Sequence, residues 1–232
     1  MISPLLSFLS LLTATPPFEG VFNPWADVDR ENDMGPDCPE IRRRHLARYL
    51  ECRIGKAFYL LVGEAVGYQG GHFSGIPMTS ERILLGFHGS RGIRPDHVVP
   101  GLDPQRTSKP EKMPRGFSEP TATIVWEAVL RSGCQSTDFV LWNAFPWHPF
   151  NPKRGILSNR KPKEKEMIYG TEAGMSFLEL FPDAIVIAVG KVSAQWFDSL
   201  QVAHYSVRHP TQGGARQFRS QLSEVMKRTK TP

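Results

Sequence analysis

The order of apolar and polar positions along the chain predicts strands that alternate with helices. Apolar runs of strand length occupy residues 57–62, 138–142, 184–189 and 203–207. Segments with helical periodicity or helix-start signals occupy residues 39–53, 163–181, 191–200 and 214–227, and one more begins at Glu119. Strands separated by helices are typical of parallel pairing with right-handed crossovers. We therefore predict an α/β fold, a three-layer α/β/α sandwich around a mainly parallel central sheet of about four strands.

Two segments fall outside this alternation. Residues 13–39 are rich in Pro, Asn, Asp and Gly, which indicates irregular structure. We therefore expect an irregular N-terminal arm over residues 1–38 and a single α/β domain over residues 39–232. Residues 89–120 are crowded with Pro, Gly and Arg, so we predict mostly loop there, after a short helix at 80–88.

The opening residues, MISPLLSFLSLL, are apolar but short, and Pro4 interrupts them. No basic segment precedes them, which favours a packed arm over a signal-like segment. No run in the chain approaches the roughly 20 apolar residues that a membrane span requires. We therefore expect no membrane association.

Length, composition and charge narrow the class of protein. A chain of 232 residues with 40% hydrophobic residues favours one globular domain with a sizeable core. The net charge of +5 and the pI of about 9.2 favour a polyanionic partner. The three cysteines, Cys38, Cys52 and Cys134, form no C-x-x-C pair, so neither a disulfide framework nor a zinc finger is indicated. Scattered cysteines without a disulfide pattern favour a reducing, cytoplasmic compartment.

The candidate chemistry begins in the loop that follows the first predicted strand. Residues 63–82 read GEAVGYQGGHFSGIPMTSER, and a glycine-rich loop after a strand lets backbone approach a ligand closely. The loop lacks both the G-x-G-x-x-G order of a dinucleotide fold and the G-K-[ST] ending of a P-loop. It resembles motif 1 of the uracil-DNA glycosylase superfamily, in the GEAPG…G-x-P form of its family 4 branch.

Two further segments resemble the same superfamily in the same order. The strand-like run FVLWN at 139–143, followed by AFPWHPFNP and by NRKP at 159–162, is similar to the N…P-P…N-R-x-P segment of family 4. Residues 207–214, VRHPTQGG, resemble the H-P-S form of motif 2. The resemblance covers roughly residues 57–225. It implies a monomeric, monofunctional DNA glycosylase that flips uracil out of DNA, hydrolyses its N-glycosidic bond and so initiates base excision repair.

Three side chains then carry the expected chemistry. Asn143 is the candidate reader of the base, because a carboxamide offers an acceptor and donors that match O4 and N3–H of uracil. The resemblance makes His209 the donor to O2 of the leaving uracilate. Glu64 is the candidate for orienting water and facing the sugar cation. Superfamily members with a G-Q-D-P-Y motif carry an aspartate where this chain has Ala65, so a carboxylate base is missing from that position.

The chain departs from family 4 in its loop and in its cysteines. Val66 replaces the motif proline, and Met78 stands where the family has a stacking phenylalanine, so either Met78 or Phe73 is expected to pack on the base. Gly67 matches the tyrosine that guards against the thymine methyl in the G-Q-D-P-Y branch. The family 4 iron-sulfur cluster needs four cysteines, and three cannot supply them. We therefore predict no cofactor.

Further positions are expected to contact the base or the DNA, and the histidines are not expected to bind metal. The loop positions Gly63, Ala65 and Gly67 are predicted to line the base site. The basic stretch 153–165, with Arg160 and Lys161, could follow the phosphate backbone. Gly213 and Gly214 open the last helix, whose amides could grip a phosphate while Gln212 or Arg216 fills the vacated base position. Histidines at 72, 88, 97 and 148 show no metal-ligand spacing, so no metal site is predicted.

The sequence is also compatible with other functions. A branch of the superfamily that traps DNA covalently carries a histidine in a K-R-R-I-H loop, and no histidine lies within 153–165, so we expect turnover. No lysine has a motif context that suggests Schiff-base chemistry. A non-catalytic binder of damaged or uracil-containing DNA would fit Ala65, Val66 and Met78. The remaining alternatives are a glycosylase for another base, such as hypoxanthine, and a small-molecule hydrolase on the same sandwich.

Overall fold

A four-stranded parallel sheet forms the centre of the computed structural model, which describes residues 3–229. Its strands are β2 (Tyr59–Ala65), β3 (Phe139–Phe145), β5 (Ile185–Val189) and β6 (Tyr205–Val207), and their spatial order is β3-β2-β5-β6. In the register, Val62 pairs with Trp142 on one side and with Ala188 on the other, and Gly63 pairs with Asn143. The prediction of a parallel sheet of about four strands is confirmed.

Helices cover both faces of this sheet. The longer ones are α2 (Cys38–Glu51), α6 (Pro120–Arg131), α7 (Glu164–Glu179), α8 (Lys191–Ser199) and α9 (Ala215–Thr229). Side chains alternate along β3, so Phe139 and Trp142 point to opposite faces. Trp126 of α6 packs edge-on against Phe139, whereas Phe177 of α7 stacks on Trp142 with ring centroids 4.4 Å apart. The two faces therefore have different helical layers, as a three-layer sandwich requires.

The N-terminal arm differs from the expectation of irregular structure. Residues Pro4–Leu12 form helix α1. Pro4 suits the first position of a helix, where its missing N–H is not needed, and the Ser3 hydroxyl accepts a hydrogen bond from the Leu6 amide at 3.3 Å. Phe8 and Leu12 are fully buried, so the apolar opening stretch is a core-packing helix. Residues 1–2 and 230–232, the ends of the two expected ranges, lie outside the described residues.

The rest of the arm is tied to the domain by a second, two-stranded sheet. Strand β1 (Val21–Phe22) pairs antiparallel with β4 (His148–Pro149), so that Phe22 lies opposite His148. Arg42 of α2 donates hydrogen bonds to both carboxylate oxygens of Asp33, and both side chains are fully buried. The arm is therefore part of the core that supports the site.

The insert at 89–120 is mostly irregular, as predicted, and is held at several points. It contains a 3-10 turn at Gly89–Arg91 and α5 (Pro95–Val98), and it follows α3 (Gly71–Ser74) and α4 (Glu81–Leu84). A further 3-10 turn spans Pro152–Arg154. The buried Arg53 donates to the carbonyl oxygens of Tyr49, His97, Val98, Ser136 and Phe139. Across residues 3–229, none of the helices is both long and apolar enough to cross a bilayer.

Candidate active site

The three motif segments meet at the carboxyl edge of the central sheet. Glu64 lies at the end of β2 and Asn143 near the end of β3, while His209 follows β6. A cleft of about 850 Å³ opens at this edge, and Glu64, Lys161 and His209 line it together. Parallel α/β sheets bind ligands at this edge, because the loops after the strands converge there.

Glu64 is half-buried in the wall of the cleft. Burial raises the pKa of its carboxyl above the usual range, and the charge of Lys161, in the same cleft, acts in the opposite direction. A carboxylate in this position can hold water and face a positive charge. Ala65, which follows it, offers only a methyl group, so Glu64 is the acid that motif 1 contributes to the cleft.

His209 is oriented by its own loop. The backbone N–H of Thr211 donates to Nδ1 at 3.3 Å, and the Thr211 hydroxyl lies 2.8 Å from the same nitrogen. An Nδ1 that accepts is unprotonated, so the neutral ring carries its proton on Nε2. Burial, with the nearby charge of Arg208, lowers the pKa of His209 and favours this neutral form. The histidine can therefore donate through Nε2 without being an imidazolium.

Asn143 and Gly63 are close because their strands are in register. The Asn143 amide lies 2.7 Å from the position that a Cβ on Gly63 would take, and the Met78 sulfur lies 3.1 Å from it. With its amide oriented to satisfy both atoms, Asn143 donates to the Trp142 carbonyl and accepts from the Val66 N–H, each at 3.2 Å. Each amide atom retains capacity for one more hydrogen bond.

The two candidates for packing on the base lie in different surroundings. Phe73 is fully buried, and its ring stacks on Phe117 with centroids 4.2 Å apart. Met78 adjoins Gly63 and has a positive φ of 47°, an uncommon backbone conformation for a side chain of its size. Its sulfur is thereby held next to the Asn143 amide. Met78 therefore lies beside Gly63 near the end of β2, whereas Phe73 packs behind the loop.

Glu119 is a residue of this region that sequence reasoning missed. It immediately precedes α6, yet its side chain makes no capping hydrogen bond to that helix. The carboxyl lies instead against the Gly67–Gly70 turn, where a Cβ on Gly70 would overlap Oε2. Oε2 is buried without a hydrogen-bond partner among the described residues, and burial raises the pKa of Glu119 to about 7. No motif marks this glutamate, because its neighbours in space are distant in sequence.

Two histidines that show no metal spacing form a buried polar chain behind the loop. The Nδ1 atoms of His72 and His148 lie 2.9 Å apart, so one ring must donate and the other accept. His72 Nε2 lies 3.2 Å from Asp29 Oδ2, and His148 Nε2 lies 2.8 Å from the Ser158 carbonyl. Burial lowers the pKa of His72, and it lowers that of His148 to about 3. The chain connects the arm, the motif 1 loop and the segment that leads to Lys161.

Arg160 and Lys161, the two basic residues expected to bind DNA, have different surroundings. The Arg160 guanidinium donates to both oxygens of Glu166, at 2.7 and 2.8 Å, and to the carbonyls of Gly20 and Phe150. These bonds occupy the guanidinium within the fold, which favours a structural role. Lys161 is exposed and lines the cleft.

The remaining predicted positions lie around the start of α9. Gln212, with a φ of 52°, and Gly213, with a φ of 76°, form a left-handed turn. Gln212 lines the cleft, and Arg216 is exposed in the first turn of the helix. Gly214 must lack a side chain, because a Cβ there would overlap the His209 carbonyl oxygen. Within residues 3–229, no group of three or more His, Cys, Asp or Glu side chains could hold a metal ion.

Comparison with known proteins identifies the fold and goes no further. No protein-family model matches the chain, and no curated protein sequence matches it. Among solved structures, the chain is similar to the crystal structure of wild-type SMUG2 from Pedobacter heparinus, with a TM-score of 0.64. The similarity covers 100% of both chains at 12% sequence identity. Identity at that level establishes a shared architecture, so the chain has the same α/β fold as this SMUG2 structure.

Proposed function

We propose that this protein is a monofunctional uracil-DNA glycosylase. The observation that carries the proposal is the cleft at the sheet edge, which Glu64 and His209 line together. Asn143 lies beside Gly63, the residue that precedes Glu64. The SMUG2-like fold and the three motif resemblances support it. A net charge of +5 suits a polyanionic substrate. The free thiols of Cys38, Cys52 and Cys134 suit a reducing, cytoplasmic compartment.

The proposed reaction begins with a uracil flipped out of the DNA stack, which costs stacking energy and exposes its pairing edge. Asn143 reads that edge through its remaining acceptor and donor capacity, and Met78 packs against the ring. Breaking the glycosidic bond places negative charge on the base and positive charge on the sugar. His209 donates a hydrogen bond from Nε2–H to O2 of the departing base. Glu64 faces the sugar cation and orients the attacking water.

The DNA around the flipped nucleotide is held by groups at the cleft rim. Lys161 and Arg216 attract the phosphates, and the Gly213 amide donates to one of them, whereas the Gly214 N–H already donates to the Thr211 carbonyl at 3.0 Å. Gln212 or Arg216 fills the space that the base leaves. Arg160 stabilises the segment that carries Lys161 through its ion pair with Glu166, and Lys161 binds the phosphate. The protein acts as a monomer and leaves an abasic site for base excision repair.

The direct test is base release from oligonucleotides that each carry one uracil, single-stranded or opposite guanine. We expect alkali-labile sites in the uracil strand and none in a matched cytosine strand. A parallel oligonucleotide with hypoxanthine tests the alternative base. Alkali cleavage equal to a buffer control, with intact DNA binding, would contradict the enzyme. A protein without salt-dependent DNA binding would fit a small-molecule hydrolase instead.

One observation favours a second candidate, a non-catalytic binder of uracil-containing or damaged DNA. Ala65 supplies no carboxylate, and the Asn143 amide already bonds to Val66 and Trp142. Such a binder would keep its affinity for uracil-containing DNA when His209 is replaced and would release no base before or after the replacement.

A further inference from the structure

Outside the cleft, a second positively charged surface lies where the insert meets α6 and α9. Arg91, from the 3-10 turn of the insert, donates from Nη1 to Glu127 Oε1 at 2.9 Å. Arg219 of α9 lies 3.5 Å from the other oxygen, Oε2, of the same side chain. Glu127 thus brings two guanidiniums from distant segments together. One carboxylate cannot neutralise two guanidiniums, so this part of the surface stays positive.

Arg82 and Phe87 extend this surface. Burial lowers the pKa of the His88 ring, and the charges of Arg82 and Arg91 lower it further, which places both arginines near that ring. Phe87, the preceding residue, donates its N–H to the Arg82 carbonyl at 3.1 Å, and its side chain is exposed. We call the resulting surface the arginine patch: Arg82, Phe87, Arg91 and Arg219.

The guanidiniums of Arg91 and Arg219 are held in place and yet open to a ligand. Among the described residues, each donates only to Glu127, so most of their N–H groups have no protein acceptor. Their side chains are 54% and 42% exposed, whereas that of Arg160, which donates to several acceptors within the fold, is 18% exposed. An arginine with open N–H groups can bind a phosphate through two parallel hydrogen bonds.

The arginine patch adjoins the candidate active site on two sides. Arg219 lies on α9, and Gln217 of the same helix lines the cleft. On the other side, the Arg82 N–H donates to the Phe117 carbonyl at 3.0 Å, and the Phe117 ring packs edge-on against Tyr68 of the motif 1 loop. A DNA strand that leaves the cleft beside either element therefore comes to the patch.

We propose that the arginine patch is a second DNA-binding site, which holds an unpaired stretch of the strand whose uracil occupies the cleft; this inference rests on the proposed function. Arg91 and Arg219 bind phosphates, and Phe87 stacks on a base. Stacking on an aromatic side chain is independent of sequence, because every base has a flat face. An acidic peptide would meet the same charges, but only a strand already held in the cleft gains from a high local concentration at the patch.

The test measures affinity for single-stranded oligonucleotides that carry one uracil near one end and grow in length from the other end, in a 5′ and a 3′ series. Fluorescence anisotropy at several salt concentrations gives the dissociation constants. In one of the two series, we expect the parent to gain at least about 10-fold in affinity once the strand reaches the patch. The series that shows the gain also gives the direction of the strand.

Phe87→Ala should lose about 5-fold in affinity for the long oligonucleotide. Arg91→Gln should also bind it more weakly and should lower the salt dependence by about one phosphate contact, and Arg91→Lys should recover part of the loss because it keeps the charge. The shortest oligonucleotide does not reach the patch, so its affinity should not depend on these positions. Phe58→Ala and Arg131→Gln, at exposed residues outside the patch and the cleft, are the matched controls.

Parent-like affinity for the long oligonucleotide in Phe87→Ala and in Arg91→Gln would overturn the inference, even where base release supports the proposed function. If Arg91→Gln does not fold by circular dichroism, Phe87→Ala decides. A parent that binds the long strand through the patch but releases no base refutes the glycosylase and keeps the patch. A polyglutamate peptide that binds the parent as tightly as the long oligonucleotide, and binds Arg91→Gln more weakly, would overturn the inference in favour of an acidic protein partner.

Discussion

The Nδ1 atom of His209 accepts a hydrogen bond from the backbone N–H of Thr211 and lies 2.8 Å from the Thr211 hydroxyl. A residue two positions further along the loop thus sets which ring nitrogen carries the proton. The backbone donor persists whatever side chain stands at 211, whereas the hydroxyl can be removed by mutation.

His209→Ala should slow base release by about 10²-fold or more and leave DNA affinity nearly unchanged, because a donor to developing charge acts mainly in the transition state. Thr211→Val should slow it by only about 10-fold, since the backbone N–H still orients the ring. Single-turnover rates and fluorescence-anisotropy affinities measure both. His204→Ala, at a histidine outside the cleft, is the control. Parent-like rates in His209→Ala would remove this histidine from the mechanism.

The acidic limb of the pH–rate profile should depend on Lys161. Burial raises the pKa of Glu64 and the charge of Lys161 lowers it, so Lys161→Gln should raise that pKa further. A carboxylate loses its charge as pH falls through its pKa, so the loss of rate should begin at a higher pH in the variant. Single-turnover profiles at saturating protein separate this shift from weaker DNA binding. Lys153→Gln, at an exposed lysine nearby, is the control and should leave the acidic limb of the pH–rate profile unchanged. An unchanged acidic limb in Lys161→Gln would show that Lys161 does not affect the pKa of Glu64.

Gly63→Ala should disrupt the base pocket. The new methyl group would lie 2.7 Å from the Asn143 amide, closer than Cβ atoms approach, and 3.1 Å from the Met78 sulfur, tighter than most Cβ contacts. We expect a stability loss of about 1 to 3 kcal/mol in urea unfolding and a larger fall in base release, since both neighbours must shift. Gly35→Ala is the control, because a Cβ there meets nothing within 4 Å. Full activity in Gly63→Ala would show that Asn143 is not held as described.

Arg160→Gln should act on stability more than on DNA affinity. The Glu166 side chain is fully buried, and loss of its bidentate partner leaves a buried charge unpaired, which costs about 3 to 5 kcal/mol. The double variant Arg160→Gln/Glu166→Gln should recover part of that loss. Lys161→Gln should instead keep stability and reduce the salt dependence of DNA binding by about one phosphate contact. If Arg160→Gln keeps the parent stability and reduces the salt dependence of DNA binding, Arg160 contacts DNA directly.

Acid should destabilise the protein partly through the buried histidine pair. Burial lowers the pKa of His148 from an ordinary 6.5 to about 3 and lowers that of His72 as well. Between those values of His148 the unfolded chain binds the proton and the folded one does not, so stability falls as pH falls, by up to about 1.4 kcal/mol per pH unit from His148. His148→Asn should show a shallower slope between pH 6.5 and 4.5 in urea unfolding. An equal slope would show that other groups dominate.

The strands are predictable from sequence, because burial on both faces of the sheet requires continuous apolar runs. The run AIVIAV at 184–189, for example, contains all of β5. Helix α1 is not predicted, because a proline within an apolar run is taken to break a helix. In the structure Pro4 is the first residue of the helix and Ser3 is its N-cap. Within the site, motif order alone places Glu64 and His209 at one edge. Glu119 escapes such reasoning, because its environment comes from Gly67 and Gly70, far away in sequence.

The pairing of β1 with β4 has a consequence for synthesis on the ribosome. Phe22 leaves the ribosome long before its partner His148, because the two residues are far apart in sequence. Contacts between distant residues form late, because closing a long loop costs chain entropy before any contact compensates for it. Phe8 of α1 therefore lacks its aromatic partners Trp142 and Phe177 until β3 and α7 have left the exit tunnel. Chaperone demand during translation should accordingly be concentrated in this early segment.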